Sequence, residues 1–538
     1  MSSRRAIWVC VAGLAWAGAL DAADRAPAGQ WVPMLEVPES EIFPEAPAGW
    51  REYLLQVRAA ERIDDRLQRC LAYPDLPGNR WPAGHVEANC RYRVTEVVTL
   101  AEIDGYLQRG EVAVLEQVMS GYLARHFSAA GHGDEIHLAI ARFSDVDDDA
   151  DRISTRWLEL APRSAFAHMA RAAHIHRLAR AARGGAYVRD TPRENMRRMS
   201  ELAAEAIPLY QQAIAIEPRA MPAYAGLIGI ARIDSRHELL QQAVASASRQ
   251  DPACWHVADQ RMMSATPRWG GSYEEMLAIA AELSRHLDRR PLLALTIAEP
   301  YADRGERLLA AKQYTREAMQ LLDIAIRTAP SQAALVNAGE MAQKLPPEQG
   351  GADHWKSMSL LLQRARFTAV DAWTARELAW FLLGADPSWS LRYATRAVEL
   401  DPGNRWAHFL LASAYKATGQ VDAAEKHYLV AIEDEARHRE SLGELAHMML
   451  YPAPEAAPLL ERARPYIERF VAAYPDDSLA WLIQIEAELL ENGDKVDGNL
   501  IRGFLARANL EDPRQAEWAR LLQASLNDHA PSSKAAAP

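Results

Sequence analysis

One phrase of small and large side chains recurs along the chain and closes on a proline. Ala206, Tyr210, Ala213 and Pro218 stand four, three and five residues apart, and the same beat returns at Ala424, Tyr428 and Ala431. Partial versions end at Pro330 after Ala318, Leu322 and Ala325, at Pro402 after Ala397, at Pro252 after Ala247 and at Pro513 after Ala508. Residues three and four apart share one helix face, so the alanines let a neighbouring helix approach while the tyrosine fills the space between them. The proline stops the helix and turns the chain. Pro218 and Pro252 are 34 residues apart, and the gaps 252 to 330, 330 to 402 and 402 to 475 are 78, 72 and 73, near twice that period. Such a period requires stacked helix pairs, each burying its apolar face against the next.

Composition agrees. A chain of 538 residues is too long for one core, and 49% hydrophobic with 25% charged residues is the make-up of a folded protein. Its 72 acidic against 60 basic side chains, a net charge of -12, argue against a general nucleic-acid binder, which needs a basic surface.

With these residues the chain resembles the tetratricopeptide (TPR) family. The resemblance implies an all-α fold, a TPR-like superhelical solenoid of antiparallel helix pairs, with an extended concave surface suited to a peptide or protein segment. After Pro218 the next helix opens at Met221 and Pro222, and Tyr224 and Leu227 stand where the family's first helix carries its large apolar pair. The best single unit runs from Arg405 to about Ala436, with Leu411, Ala412 and Tyr415 on its first helix and Gly419 in the turn; His408 stands where the family often has Trp.

Two further motifs, Ala182-Arg183-Gly184-Gly185-Ala186-Tyr187 and Pro267-Arg268-Trp269-Gly270-Gly271-Ser272 followed by Glu275, resemble those of a bacterial domain-of-unknown-function family (DUF4034-like) over roughly residues 100–290. The resemblance implies no reaction. Both motifs read as helix punctuation: Gly184-Gly185 ends the helix that runs from Ala165, Thr191-Pro192-Glu194 starts the next, and Ser272 with Glu275 forms a capping box. The turns also carry Arg183, Tyr187, Arg268 and Trp269, planar groups suited to an anion or a sugar ring, and these are the candidate partner-binding residues. Near them Arg177, Arg180, Arg183, Arg189, Arg193, Arg197 and Arg198 fall within 22 residues. They form either a solvated helix face or an acceptor for a carboxylate, phosphate or acidic peptide.

The organisation expected is a signal peptide at 1–22, an irregular N-terminal segment at 23–100, a divergent helical-repeat domain at 101–290, TPR-like repeats at 291–525 and a flexible tail at 526–538. Arg4 and Arg5 precede an apolar run from Ala6 to Leu20, the layout of a secretory signal, which predicts a periplasmic or secreted protein with no membrane span once the signal is removed. From Trp31 to about Val94 prolines interrupt any long helix, leaving only Trp50 to Leu71 helical, in a segment that is a candidate cap for the first repeat. In an oxidising compartment Cys70 and Cys90 can form a disulfide; the alternative is two independently buried thiols. Cys254, followed by Trp255 and His256, reads as a packed small side chain.

No catalytic, cofactor-binding or metal-binding residue is expected. Asp145, Asp147, Asp149 and Asp151 alternate like early calcium-loop ligands, but Ala150 and Arg156 replace the glycine and glutamate such a loop needs. His174 and His176, two apart, point to different helix faces. Acids such as Glu486, Glu488 and Glu491 read as a solvated face. Among the 15 Trp, Trp373 and Trp380, seven apart, read as core. The expectation is an exported, non-catalytic scaffold that binds a protein or peptide of the bacterial envelope, without cofactor or nucleic acid. The alternative is a glycan-binding or glycan-acting protein with a site near Arg183, Arg268 and Trp269.

Overall fold

The computed structural model describes residues 33–35, 38–128, 133–144, 148–452, 456–493 and 495–528. The signal segment 1–22, Trp31, Asp145, Asp147 and the tail from residue 529 lie outside these residues. Among the described residues all regular structure is helical. Ala46–Ala369 form one compact unit; the described parts of Ala28–Glu45 and Val370–Pro538 form another.

The first unit opens with α1 (Ala48–Glu61), α2 (Arg66–Ala72), α3 (Ala83–Val94), α4 (Leu100–Gln108), α5 (Val112–His126), α6 (Glu135–Ala141) and α7 (Asp148–Leu160). Paired helices follow: α8 (Ala165–Arg183) with α9 (Arg193–Ile216), α10 (Met221–Ile233) with α11 (His237–Gln250), and α12 (Trp255–Ser264) with α13 (Tyr273–Leu283). Two more pairs complete it, α14 (Leu293–Ala310) with α15 (Arg316–Thr328) and α16 (Gln332–Lys344) with α17 (His354–Phe367). The first members also touch in succession, α8 on α10, α10 on α12, α12 on α14 and α14 on α16, so they build one continuous wall. Short turns force each pair antiparallel.

Local chemistry sets the helix starts. The side chains of Ser164, Ser272, Thr315, Ser331 and Asp353 each accept a backbone N–H of the first helical turn. The repeat phrase then supplies the packing. Ala206, Tyr210 and Ala213 are buried, and a Cβ on Gly226 of α10 would come within 2.2 Å of the Tyr210 ring. Helices pack at this distance only because one side of the contact lacks a side chain.

The second unit repeats the scheme with α18 (Ala372–Leu383) on α19 (Pro387–Leu400), α20 (Arg405–Ala417) on α21 (Val421–Ala431) and α22 (His438–Leu450) on α23 (Leu460–Ala473). It ends with α24 (Ser478–Asn492), α25 (Gly498–Leu505) and α26 (Pro513–Asp528). Ala424, Tyr428 and Ala431 are fully buried, and Gly419 turns the chain between α20 and α21 at φ 76°.

Several expectations need correction. The segment read as irregular holds α1, α2 and α3, because its prolines stand at helix starts, Pro47 before α1 and Pro82 before α3, where a missing N–H costs nothing. It packs on α17 and reaches α15, hundreds of residues away in sequence: Tyr53 donates to Ser359 O at 3.2 Å and Arg366 to Cys70 O at 2.8 Å, both with α17, and Trp81 donates to Ile326 O of α15 at 2.5 Å. Residues 38–45 belong instead to the second unit, where Phe43 meets Trp389 edge-on. The boundary placed between 290 and 291 falls inside the first unit, where α13 packs on α14. Pro513 begins a helix rather than ending one, and that helix runs on to Asp528, into the expected tail. Trp380 is 47% exposed and lies against Trp406 at 5.5 Å, so it is no core residue. Cys70 and Cys90 are bridged, with Cα atoms 5.8 Å apart.

Candidate functional site

The two glycine turns meet. Gly184, at φ 72°, ends α8, and Gly270, at φ 92°, follows the 3₁₀ turn Pro267–Trp269. Ser272 caps α13 by accepting from Glu275 N at 3.2 Å. Thr191 does not cap α9 as expected; its hydroxyl donates to Tyr187 O at 2.9 Å, and Pro192 takes the N-cap without a side-chain bond. Arg268 Nη2 reaches across 83 residues to Gly185 O at 2.5 Å, and its guanidinium lies 5.0 Å from the centre of the Tyr187 ring. Around Trp269 three guanidiniums gather, Arg183 at 4.7 Å, Arg232 at 5.4 Å and Arg268 at 5.9 Å from the ring centre. All four sequence candidates, Arg183, Tyr187, Arg268 and Trp269, are thus brought together.

Arg232, on α10, completes the group. It and Arg183 are buried, at 7% and 5% exposure, yet their hydrogen bonds go to neutral oxygens: Arg232 to Gln260 Oε1 at 3.0 Å, Arg183 to Gly184 O and Ala186 O at 3.2 Å. Among the described residues no carboxylate lies within ion-pair distance of Arg183, Arg232 or Arg268. The Nε atoms of Arg177, Arg183 and Arg232 and Nε2 of His176 are buried without a hydrogen-bond partner. Burial together with mutual repulsion pushes the guanidiniums down: Arg180 by burial and Arg177, Arg183 by burial and Arg268. Arg232 is driven to about 9 by burial and by Arg180, with Arg183 adding to it against the pull of Asp259. Burial, then Arg180 and Arg232, holds His176 well below the ordinary histidine range, so its ring is neutral. Gly229 leaves room for this crowding, since a Cβ there would sit 2.9 Å from His176 and 3.1 Å from Gln260. The rest of the arginine cluster behaves as a solvated face: Arg189, Arg197 and Arg198 pair with Asp190, Glu194 and Glu201.

Further along the same wall stands the opposite charge. Glu299, Asp303 and Glu306 follow one another on a single face of α14, with Asp259 on α12 beside them. Burial raises all four, and repulsion from Asp259, Glu306 and Asp303 adds to it at Glu299. Tyr273 donates its hydroxyl to Asp303 at 2.9 Å. Arg232 draws on Asp259, and Arg268 on Asp303 and Glu306, so the two banks are within electrostatic reach without forming ion pairs. Sequence reading missed Arg232 and the acids. The acids were findable, because spacings of four and three place Glu299, Asp303 and Glu306 on one helix face.

The remaining candidates have local partners. His174 lies 3.3 Å from Asp151 and His176 3.4 Å from Tyr210, on different faces as their spacing requires. Asp149 and Asp151 sit in the first turn of α7 and pair with Arg152 and Arg171. Glu491 pairs with Arg464 and Glu488 accepts from Asp497 N, while burial lifts Glu486 to about 7.

No family model matches the chain, and neither does any curated protein. Solved structures do match. Among them are YrrB, a TPR protein with an unusual peptide-binding site (19% identity, TM-score 0.30, 35% of this chain and 91% of that one), and the TPR domain of P58(IPK) (13%, 0.23, 77% and 99%). Cut9–Hcn1, an APC/C hetero-tetramer, is a third (12%, 0.31, 91% and 98%). The chain is a TPR-like helical-repeat protein. That description rests on the helix pairs and buried alanine–tyrosine faces described above, since superpositions at these scores carry nothing about ligands. Among the described residues no helix is long and apolar enough to cross a membrane.

Proposed function

We propose that the protein is a non-catalytic binding scaffold, and that the wall of α8, α10, α12 and α14 holds a peptide or protein segment carrying an anionic group followed by a cationic one. One observation carries this reading: arginines and carboxylates, each partly stripped of water and repelling its own kind, stand in separate banks on one wall. Gathering like charges in each bank destabilises the free protein, and a ligand of complementary charge lowers that cost. The anionic end would meet Arg180, Arg183, Arg232 and Arg268; the cationic end would meet Glu299, Asp303 and Glu306. A glycan site is less well supported, because the Trp269 ring that would stack on a sugar already carries guanidiniums. The Arg4-Arg5 and Ala6–Leu20 signal pattern supports export to the bacterial envelope, which a reporter fusion active only outside the cytoplasm would test.

The binding test uses fluorescein-labelled peptides of one composition in two orders, an Asp/Glu block followed by a Lys/Arg block, and a charge-scrambled version. Anisotropy should show the blocked peptide binding more tightly, with Arg232→Met and Glu299→Gln each weakening it about tenfold or more, as expected for a buried charged contact. Equal affinity for both peptides, or variants that bind like wild type, would overturn the reading.

A further inference from the structure

We infer that His126, His137 and Cys254 form a binding site for one divalent transition-metal ion of borderline-soft character, zinc(II) in the first instance. The residues come from three places: the last turn of α5, the middle of α6 and the turn between α11 and α12. Their exposures are 1%, 6% and 1%, and one donor atom from each lies within 4.8 Å of the others. Cys254 Sγ is 3.6 Å from His137 Nε2, close to the roughly 3.5 Å that separates two ligands of a tetrahedral zinc ion. Three donors no more than 4.8 Å apart can be centred at roughly 2.8 Å or less from each, so closing to ligand distances of about 2.0–2.3 Å needs less than about 1 Å of side-chain movement. Two imidazoles and a thiolate, with a fourth position left for water or a carboxylate, suit zinc and not a hard cation such as magnesium.

The surroundings hold these rings as metal sites require. His126 Nδ1 is 2.8 Å from Gly133 O and Nε2 is 3.0 Å from Asp251 Oδ2. Both partners offer acceptor oxygens, one to each ring nitrogen. Whichever nitrogen ligates, the other keeps its acceptor, and that bond orients the ring. Glycine is needed at 133, because a Cβ there would fall 2.2 Å from His126 Cα. His137 stacks on His256 at 4.0 Å, and His256 lies 3.4 Å from Asp134. Asp251 is also paired with Arg289 at 3.1 Å, so it is not left bare when His126 turns to a metal. Arg290, which donates to the His126 carbonyl, is the opposing cation; Asp251 and Asp134 balance it. On binding, the Cys254 proton leaves and the thiolate offsets one of the two charges of the entering dication. A small cleft bordered by Tyr92, Thr95, Asp134, Trp255, Arg290 and Leu292 includes Trp255, the residue after Cys254.

The test titrates full-length, chelator-stripped protein, its Cys70–Cys90 bridge intact, with Co²⁺ and then displaces it with Zn²⁺. The expected result is one Co²⁺ per chain, with a thiolate-to-cobalt charge-transfer band and the visible bands of a tetrahedral site. Cys254→Ser should abolish the charge-transfer band and weaken Zn²⁺ at least tenfold; His137→Gln should weaken Zn²⁺ similarly, and His237→Gln, at an exposed histidine, should change nothing. Far-ultraviolet circular dichroism checks folding, and should Cys254→Ser unfold, His126→Gln takes its place, with Zn²⁺ binding weakened at least tenfold as the expected result and unchanged Zn²⁺ affinity overturning the inference. A wild type with native helicity and no charge-transfer band overturns the inference, as does a band that survives Cys254→Ser.

Discussion

Replacing Arg232 with methionine separates a binding residue from a structural brace, because the two roles give opposite signs. Burial, with Arg180 and Arg183, lowers the guanidinium from its ordinary value to about 9, some three and a half units. At about 1.4 kcal/mol per pH unit, this corresponds to roughly 5 kcal/mol of folded-state destabilisation at neutral pH. The sign follows from linkage: a base lowered in the folded state costs stability while it is charged in both states, and that cost fades as pH rises through the folded value. Against it stand the bonds to Gln260, about 1.5–3 kcal/mol as hydrogen bonds to a charged group, and about 1 kcal/mol for the contact with Trp269. Methionine keeps the volume and removes the charge, so Arg232→Met should stabilise the first unit by about 1–2 kcal/mol. It should also weaken the blocked peptide. Native-state hydrogen exchange of the α8, α10 and α12 amides reads the local stability, and anisotropy reads the binding. A variant destabilised by more than about 1 kcal/mol that still binds the peptide normally would show that Arg232 holds the helices together and does not receive a ligand.

Three other outcomes are expected. Gly226→Ala should cost about 2–3 kcal/mol of local stability in α9 and α10, because its Cβ would fall 2.2 Å from a locked Tyr210 ring; in a Tyr210→Leu background the added cost should drop below about 1 kcal/mol, and an equal cost in both backgrounds would refute the close-approach argument. Reduction of Cys70–Cys90, or Cys70→Ala with Cys90→Ala, should lower the exchange protection of α2 and α3 by about 3 kcal/mol, the loop-closure value for a separation of 20 residues, and leave the second unit unchanged. In the second unit His427 faces His408, Nδ1 to Nδ1 at 2.8 Å, and burial with repulsion from His408 and Lys426 lowers it to about 4. Its contribution is complete above pH 6.5 and is lost as pH falls towards 4, so protection of α20 and α21, corrected for intrinsic exchange rates, should fall by about 1 kcal/mol after solvent screening; in His427→Phe the dependence should flatten.

The repeat was legible because its signal is local. Ala206, Tyr210 and Ala213 share a face by helical spacing alone, and any neighbour close enough to pack there must meet that face. Gly184, Gly270 and Ser272 were readable for the same reason, since a left-handed turn or an N-cap is decided within a few residues. Arg183 and Trp269 could be proposed as partners by chemistry, but only packing puts them 4.7 Å apart, across a contact between helices.

Other features depend on separations that no local pattern encodes. The prolines between Trp31 and Val94 suggest a loose segment because each looks like a breaker, yet α1 and α3 form behind Pro47 and Pro82, with α17 as their packing surface. His126, His137 and Cys254 lie in unrelated stretches, and each alone reads as a buried side chain; their common environment exists because α5 and α6 fold against the turn before α12. Arg232 shows the division plainly. Its charge is written in the sequence, but the repulsion it feels depends on which residues surround it and how much water they exclude, and those are set by the stacking of the helices.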